Sequence, residues 1–317
     1  MDLKQLEYFV RVAEIGSITK AAALLHVAQP ALSRQIAQLE SELKVQLLTR
    51  NGRGVIPTLA GKKLLAHGRG ILRQVELARD EVIAKQGNAE GLIVVGVPAS
   101  VAATLTVPMI EAFRAEMPNV EVSVLQGRSS SLLEWLVSGR IDMALLYDPP
   151  YSPLVKSTPL LTEKLALIQG QDSDGQSPID LSLIPEYPLI IPSRPNTMRL
   201  LIETQLMRIG LKPAIAFEVD NVTNILELVA KGYGSAILSP RAASSAPSKL
   251  RLNIRPIVRP SLTVRLSLST SARSPHNPLR DHAIKIVETI SRKMIAGSLN
   301  TSLKSAKPKR SSARKIM

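Results

Sequence analysis

Apolar residues recur along this chain first at helical spacing and then, from about Leu92, in short β-branched runs. That change of rhythm divides it. Leu3, Leu6, Phe9, Val10 and Ala13 share one face of a helix that the pattern ends near Gly16. Two short helices follow. Ser17 is a suitable N-cap for the first, whose apolar body is Ala21, Ala22, Leu24 and Leu25. The second opens at Gln29-Pro30, where a proline sacrifices no intrahelical hydrogen bond. Leu32, Ile36, Leu39 and Leu43 form its buried stripe. Val45 to Thr58 reads as two short strands around Asn51-Gly52-Arg53-Gly54, a strong hairpin turn. Thr58 then caps a long helix predicted to reach about Gln86. Its Gly61, Leu64, Gly68, Ile71, Val75, Ala78 and Val82 alternate spacings of three and four. Such a seam asks for a partner helix, most simply from a second copy of the chain.

Beyond a short polar linker, Gly87 to Gly91, strands and helices alternate. Strands are predicted over 92–97, 120–127 and 141–147, with helices over 108–116 and 130–138. The rhythm returns after residue 161. Strands are predicted over 165–170, 188–192, 214–219 and 234–240, and helices over 197–209 and 223–230. A strand over 264–271 and a helix over 282–295 close the pattern. Buried strands separated by helices indicate a parallel α/β sheet. Two such runs indicate two lobes with chain crossing between them. From about Gly297 the chain is rich in Ser, Lys and Arg and reads as a disordered tail.

At 317 residues, 45% of them apolar, two or three domains are expected. The net charge of +14 suits an anionic partner, but Lys304, Lys307, Lys309, Arg310, Arg314 and Lys315 place much of it in the tail. The absence of cysteine excludes disulfides, thiolate metal sites and a cysteine nucleophile. Charges interrupt the apolar pattern of the N-terminus, which therefore does not read as a signal peptide. No stretch approaches the roughly twenty apolar residues that cross a bilayer. A soluble, cytoplasmic protein is expected, without a membrane partner.

The chemistry lies on the second short helix. Opposite its apolar stripe stand Pro30, Ser33, Arg34, Ala37 and Ser41, with no carboxylate before Glu40. Small, hydrogen-bonding and cationic side chains are what phosphates and base edges require. Arg50 and Arg53 sit at the hairpin tip, where a basic wing reaches the backbone or minor groove beside it. A solvated helical hairpin and a charged turn would look the same, so both readings stand at this point. His26, His67, His276 and His282 show no ligand spacing, and no nucleophile motif appears. Gly232-Tyr233-Gly234 reads as a helix stop and turn, not as a dinucleotide loop. No catalytic residue, metal site or cofactor is expected.

FVRVAEIGSITKAAALLHVAQPALSRQIAQLESEL, LLTRNGRGVIPTLAG, GRIDMALL and VAKGYGSAILSP together resemble the LysR-type transcriptional regulators over nearly the whole chain. LHVAQPALSRQ, NGRGV and LSLSTSAR are similar to the nitrogen assimilation control group within that family. The resemblance implies an α/β protein overall. Its parts would be a winged helix-turn-helix (1–58), a dimerising linker helix and hinge (59–91) and a two-lobed effector domain of the type II periplasmic-binding-protein fold (92–297). Lobe I would take about 92–161 and 266–297, lobe II about 162–265, and 298–317 would be the basic tail.

Carried onto this chain, the resemblance implies a DNA face of Gln29, Pro30, Ser33, Arg34, Arg50 and Arg53, and a dimer seam of Leu64, Ile71, Val75, Ala78 and Val82. It implies a double-stranded DNA operator, a homodimer or dimer of dimers, and RNA polymerase as partners. An effector would lie between the lobes at Ser100, Ser129, Ser130, Ser193, Asn196, Thr197, Val222 and Thr223. Hydroxyls and N–H groups at helix starts suit a small anionic metabolite, with Arg128 and Arg194 nearby; serines there are equally common as plain caps. A solute-binding protein of the same two-lobed fold is the alternative, but it has no use for residues 1–58.

Overall fold

Asp2 and Gln5 close a reciprocal cap on α1 (Leu3–Ile15). The Asp2 carboxylate accepts from the Gln5 N–H at 2.7 Å, and the Gln5 side chain accepts from the Asp2 N–H at 3.1 Å. Gly16 ends the helix in left-handed backbone, φ 70°. The computed structural model describes residues 1–52, 54–83, 91–171, 177–244, 250–272 and 277–305. After α1 come α2 (Ile18–Leu24), capped by Ser17, and α3 (Gln29–Leu43). The hairpin is β1 (Leu48–Asn51) against β2 (Gly54–Pro57). Phe9, Val12, Ala21, Leu32, Ile36, Leu39, Leu47 and Val55 form their shared core. Leu3, Leu24 and Leu43, expected inside, are exposed because each lies at a helix end beyond the reach of that core. The Val55 N–H donates to the Gly16 carbonyl at 2.9 Å, pinning the hairpin to the end of α1. Gly54 has φ 152°, and a side chain there would overlap the Gly16 carbonyl, so only glycine fits.

Thr58 accepts the Gly61 N–H at 3.0 Å at the start of α4 (Leu59–Ile83). The expected end near Gln86 and most of the linker lie outside the described residues. The seam of α4 divides. Gly61 lies against Leu47 and Pro57, Gly68 against Leu6 and Val10, and Leu64 packs on the N-terminal core. This part of the predicted dimer seam contacts its own chain, because α1 lies alongside α4. Ile71 and Ala78 are exposed and Val75 is half-buried. The side chain of Val82 lies outside the description.

The first sheet holds β3 (Gly91–Val97), β4 (Val120–Gln126), β5 (Met143–Tyr147), β6 (Val155–Lys164) and the late strand β13 (Thr263–Ser271). Its order is β4-β3-β5-β13-β6. The first three run parallel, and β13 is antiparallel to both its neighbours. α5 (Ala99–Glu116) and α6 (Ser129–Val137) connect the parallel strands. α5 begins well before the predicted Pro108, which sits inside it. Its first half is small and β-branched, yet Val101, Leu105 and Met109 turn inward at helical spacing. β6 escaped prediction because it is a largely polar edge strand interrupted by Pro159, a position where a proline is tolerated.

The second lobe contains β7 (Ala166–Gly170), β8 (Ile179–Asp180), β9 (Leu189–Ile191), α7 (Thr197–Arg208), β10 (Ile215–Glu218), α8 (Val222–Ala230), β11 (Ala236–Leu238), α9 (Pro240–Ser244) and β12 (Leu252–Val258). β7 runs antiparallel to both β11 and β12, which corrects the expectation of a wholly parallel sheet. The reason is topological: β7 enters the lobe and β12 leaves it. β9 and β10 are parallel as expected. The crossings fall just after Lys164 and just before Thr263. The closing helix α10 runs from Pro278 to Ser305, into the segment read as tail; residues 306–317 lie outside the description. No helix among the described residues is long and apolar enough to cross a membrane.

Candidate DNA-reading face and inter-lobe cleft

α3 is open on one side. Leu32, Ile36 and Leu39 turn into the core, while Gln29, Pro30 and Arg34 are exposed and Ser33 is half-buried. The Gln29 amide donates to the Ser33 hydroxyl at 2.9 Å, which sets both polar groups on the same exposed turn. Pro30 occupies the first turn, and the preceding Ala28 contributes no side-chain cap. Arg34 and, on β1, Arg50 are exposed and carry no ion pair among the described residues. Arg53 lies outside the description. The nearby carboxylate is already engaged: Glu40 accepts the N–H groups of Leu47 at 2.7 Å and Leu48 at 3.0 Å. It ties α3 to the hairpin and leaves the exposed face with cations and hydroxyls. That is the inventory for phosphate and base-edge contacts.

Between the lobes lies a cleft of about 940 Å³. Of the predicted effector positions, Ser100, Ser129, Ser130, Asn196, Thr197 and Val222 line it. Ser193 and Thr223 do not. Ser193 is drawn away by Asp220, whose carboxylate accepts both its N–H (3.0 Å) and its hydroxyl (2.7 and 2.8 Å). Thr223 is exposed on α8, away from the lining. Two predicted contacts also have internal duties. Asn196 caps α7, accepting from Met198 at 2.9 Å and Arg199 at 3.1 Å, and the Ser129 hydroxyl accepts the Tyr147 N–H at 3.2 Å. α5 and α6 begin without any side-chain cap, so Ser100 and Ser130 are not caps.

Sequence reasoning missed several lining residues: Trp135, Tyr147, Glu203 and Asp220. Tyr147 had a usable signal, since it ends a parallel strand, where clefts of open α/β sheets lie. Its hydroxyl donates to Glu163 at 3.1 Å, and Arg241 from the second lobe donates to Glu163 at 2.9 Å and to the phenol oxygen at 3.3 Å. Burial first, and the Glu163 charge second, push the phenol far above its usual range, so it stays neutral. The hydrogen bonds from Ser193 hold the Asp220 carboxyl below its ordinary value, and Arg128 adds to the effect. Arg194 pairs with Glu203 at 2.9 Å. The two arginines that line the cleft thus face two carboxylates, and the walls carry little net preference for an anion.

Residues 3–62 match the family model for the bacterial regulatory helix-turn-helix protein of the lysR family, and residues 86–289 match the LysR substrate binding domain. The chain belongs to the LysR family. It is a LysR-type DNA-binding transcriptional regulator, with an N-terminal helix-turn-helix domain followed by a LysR substrate-binding domain. The nitrogen assimilation regulatory protein nac of Klebsiella aerogenes is 37% identical to it, over 88% of this chain and 91% of the relative. The Escherichia coli protein of the same name is also 37% identical, over 88% and 91%. Among solved structures, the LysR regulator CbnR bound to its target DNA aligns with TM-score 0.66 at 25% identity, over 92% of this chain and all of the other. OxyR of Pseudomonas aeruginosa shares the fold at TM-score 0.69 and 22% identity, over 92% and 95%.

Proposed function

We propose that this regulator binds its operator as a homodimer or dimer of dimers, through α3 and the hairpin wing. Its targets are genes of nitrogen assimilation, where it contacts RNA polymerase from the cytoplasm. The observation that carries DNA reading is the open face of α3, whose Arg34 has no ion pair among the described residues while its nearby carboxylate is held by the wing. The nitrogen assignment rests on the identity to the nac proteins over most of both chains. Residues 1–58, 59–91 and 92–297 serve as its working parts, with α10 continuing past the last boundary.

Assembly is supported by Ile71 and Ala78, exposed on α4, with Val75 half-buried between them. A second apolar surface is available at Met207 on α7 and at Ile215 and Phe217 on β10, all exposed. Replacing Ile71 and Val75 by Asp puts like charges into the paired seam and converts dimers to monomers in sedimentation. A variant that still sediments as a dimer moves the interface to the lobes.

The cleft takes a small metabolite. Its balanced charge and walls such as Trp135, Met198 and Val222 shift the expectation from a plain anion toward a molecule with an apolar body. A genome-wide map of bound sites tests the whole reading. Paired half-sites upstream of nitrogen-assimilation genes support it, and occupancy without a shared sequence overturns it.

A further inference from the structure

α6 reaches the cleft at one end and leads at the other into the loop that meets α4, the helix packed along α1. Ser129 and Ser130 in its first turn line the cleft, and so does the ring of Trp135 in its last. The following loop, Ser138 to Asp142, is where α4 docks. Gly70 lies against the Ser138 carbonyl so closely that a methyl group would overlap it, and Gly139 faces the Gln74 amide. Buried Arg73 donates to the Leu92 carbonyl and to Asp142 at 3.3 Å, while Asp142 accepts the Val94 N–H at 2.7 Å. Beside this dock the Arg140 guanidinium lies 4.2 Å from the centroid of the Trp135 ring. Arg140 is also within electrostatic reach of the pair between Arg69 of α4 and Glu14 of α1, itself 2.7 Å long.

We infer that Trp135 and Arg140 form the joint through which the cleft communicates with the DNA-reading helices of the same chain. The indole is a wall of the cleft and at the same time the platform on which Arg140 rests beside α1 and α4. A ligand that displaces the ring also displaces the cation that faces the reader. This rests on the cleft being the effector site. Gly70 supports the dock independently. A glycine inside a helix is less favourable than alanine, and here its small size is what admits the Ser138 carbonyl. Thermodynamic coupling is reciprocal, so DNA bound at α3 must be felt at Trp135.

Trp135 is the only tryptophan in the chain, and its fluorescence reads the joint directly. Full-length wild type, Gly70→Ala and Arg140→Gln are titrated with duplexes that the wild type selects from a random pool. The wild type changes its emission and acrylamide quenching on binding. Gly70→Ala favours α4 as a helix but blocks the dock; because it lies outside α3 and the hairpin it binds the duplex within about threefold, and it loses the emission response. Arg140→Gln leaves the backbone dock in place and loses the response through the missing stack. Binding with an unchanged emission response in both variants overturns the joint. Failure of the wild type to select any shared sequence overturns the DNA-reading proposal instead. Circular dichroism of each variant confirms that a lost response comes from a folded protein.

Discussion

Arg34 on α3 and Arg199 on α7 both stand near the start of a helix, yet one is open and the other fully committed. Arg199 is buried and donates to Glu203 at 2.8 Å, to Glu218 at 2.7 Å and to the Pro192 carbonyl at 3.0 Å. Arg34 is exposed, with no ion pair among the described residues, and α3 lacks even a side-chain cap where α7 has Asn196. On α3, local charge is left without an internal partner among the described residues. Beside the cleft, at α7 and β10, the fold has already paired its own charges. A ligand of the cleft would meet shape, hydroxyls and apolar walls.

Removing each arginine should therefore fail in a different assay. Arg199→Met leaves the nearly buried Glu203 with only the exposed Arg194 as its cation and should destabilise the protein by about 3 kcal/mol. That is the lower end for a broken buried pair, because Glu218 is half exposed. Urea unfolding followed by circular dichroism measures it. Stability equal to wild type would show that the carboxylates find other partners. Arg34→Ala should change stability by no more than about 0.5 kcal/mol while weakening specific DNA binding by about 1–3 kcal/mol. A gel-shift titration with the selected duplex reads the loss, and unchanged affinity would remove Arg34 from the reading face.

The contrast also explains what the sequence made legible. In the N-terminal unit the pattern of Leu32, Ile36 and Leu39 fixes which face of α3 is buried, so the open face follows by elimination. The hairpin announces itself through Asn51-Gly52. Neither inference needs a contact between distant residues. The cleft depends on such contacts: Tyr147 and Glu163 meet Arg241 only after the chain has crossed into the second lobe, and no local spacing links them. Ser193 and Thr223 looked like Ser100 and Ser130 in sequence. Only the fold shows that Ser193 serves Asp220 and that Thr223 faces away. β7 was legible as a strand, but its antiparallel direction was not, since buried runs read alike in either direction. In α4 the seam was visible, but one stripe of residues does not say which segment comes from its own chain and which is left for a second.

The cap of α7 offers a milder test of internal commitment. Asn196→Ala removes the acceptor for the Met198 and Arg199 N–H groups and should lower stability by about 1 kcal/mol. DNA affinity should stay constant. A cleft response altered without any loss of stability would instead make Asn196 a ligand contact and not a cap.

The smallest effect concerns the lip of the cleft, where Ser193 donates twice to Asp220. The folded carboxyl lies below its ordinary value, chiefly through the Ser193 hydroxyl. In the unfolded chain it takes up its proton near pH 3.9, as about expected for a free aspartate. Between those two points the unfolded state binds more protons, so this contribution to stability is fully present above about pH 4 and is lost as pH falls through the folded value. Ser193→Ala brings the two values together and should flatten that acid limb. Asp220 is largely open to solvent, so the stability change should be only a few tenths of a kcal/mol, roughly that of an exposed polar contact. Carbon-detected NMR titration of the Asp220 carboxyl in wild type and variant reads the shift directly. An upward move in the variant identifies Ser193 as the group that holds Asp220 ionised, and an unmoved titration would leave Arg128, across the cleft, as the cause.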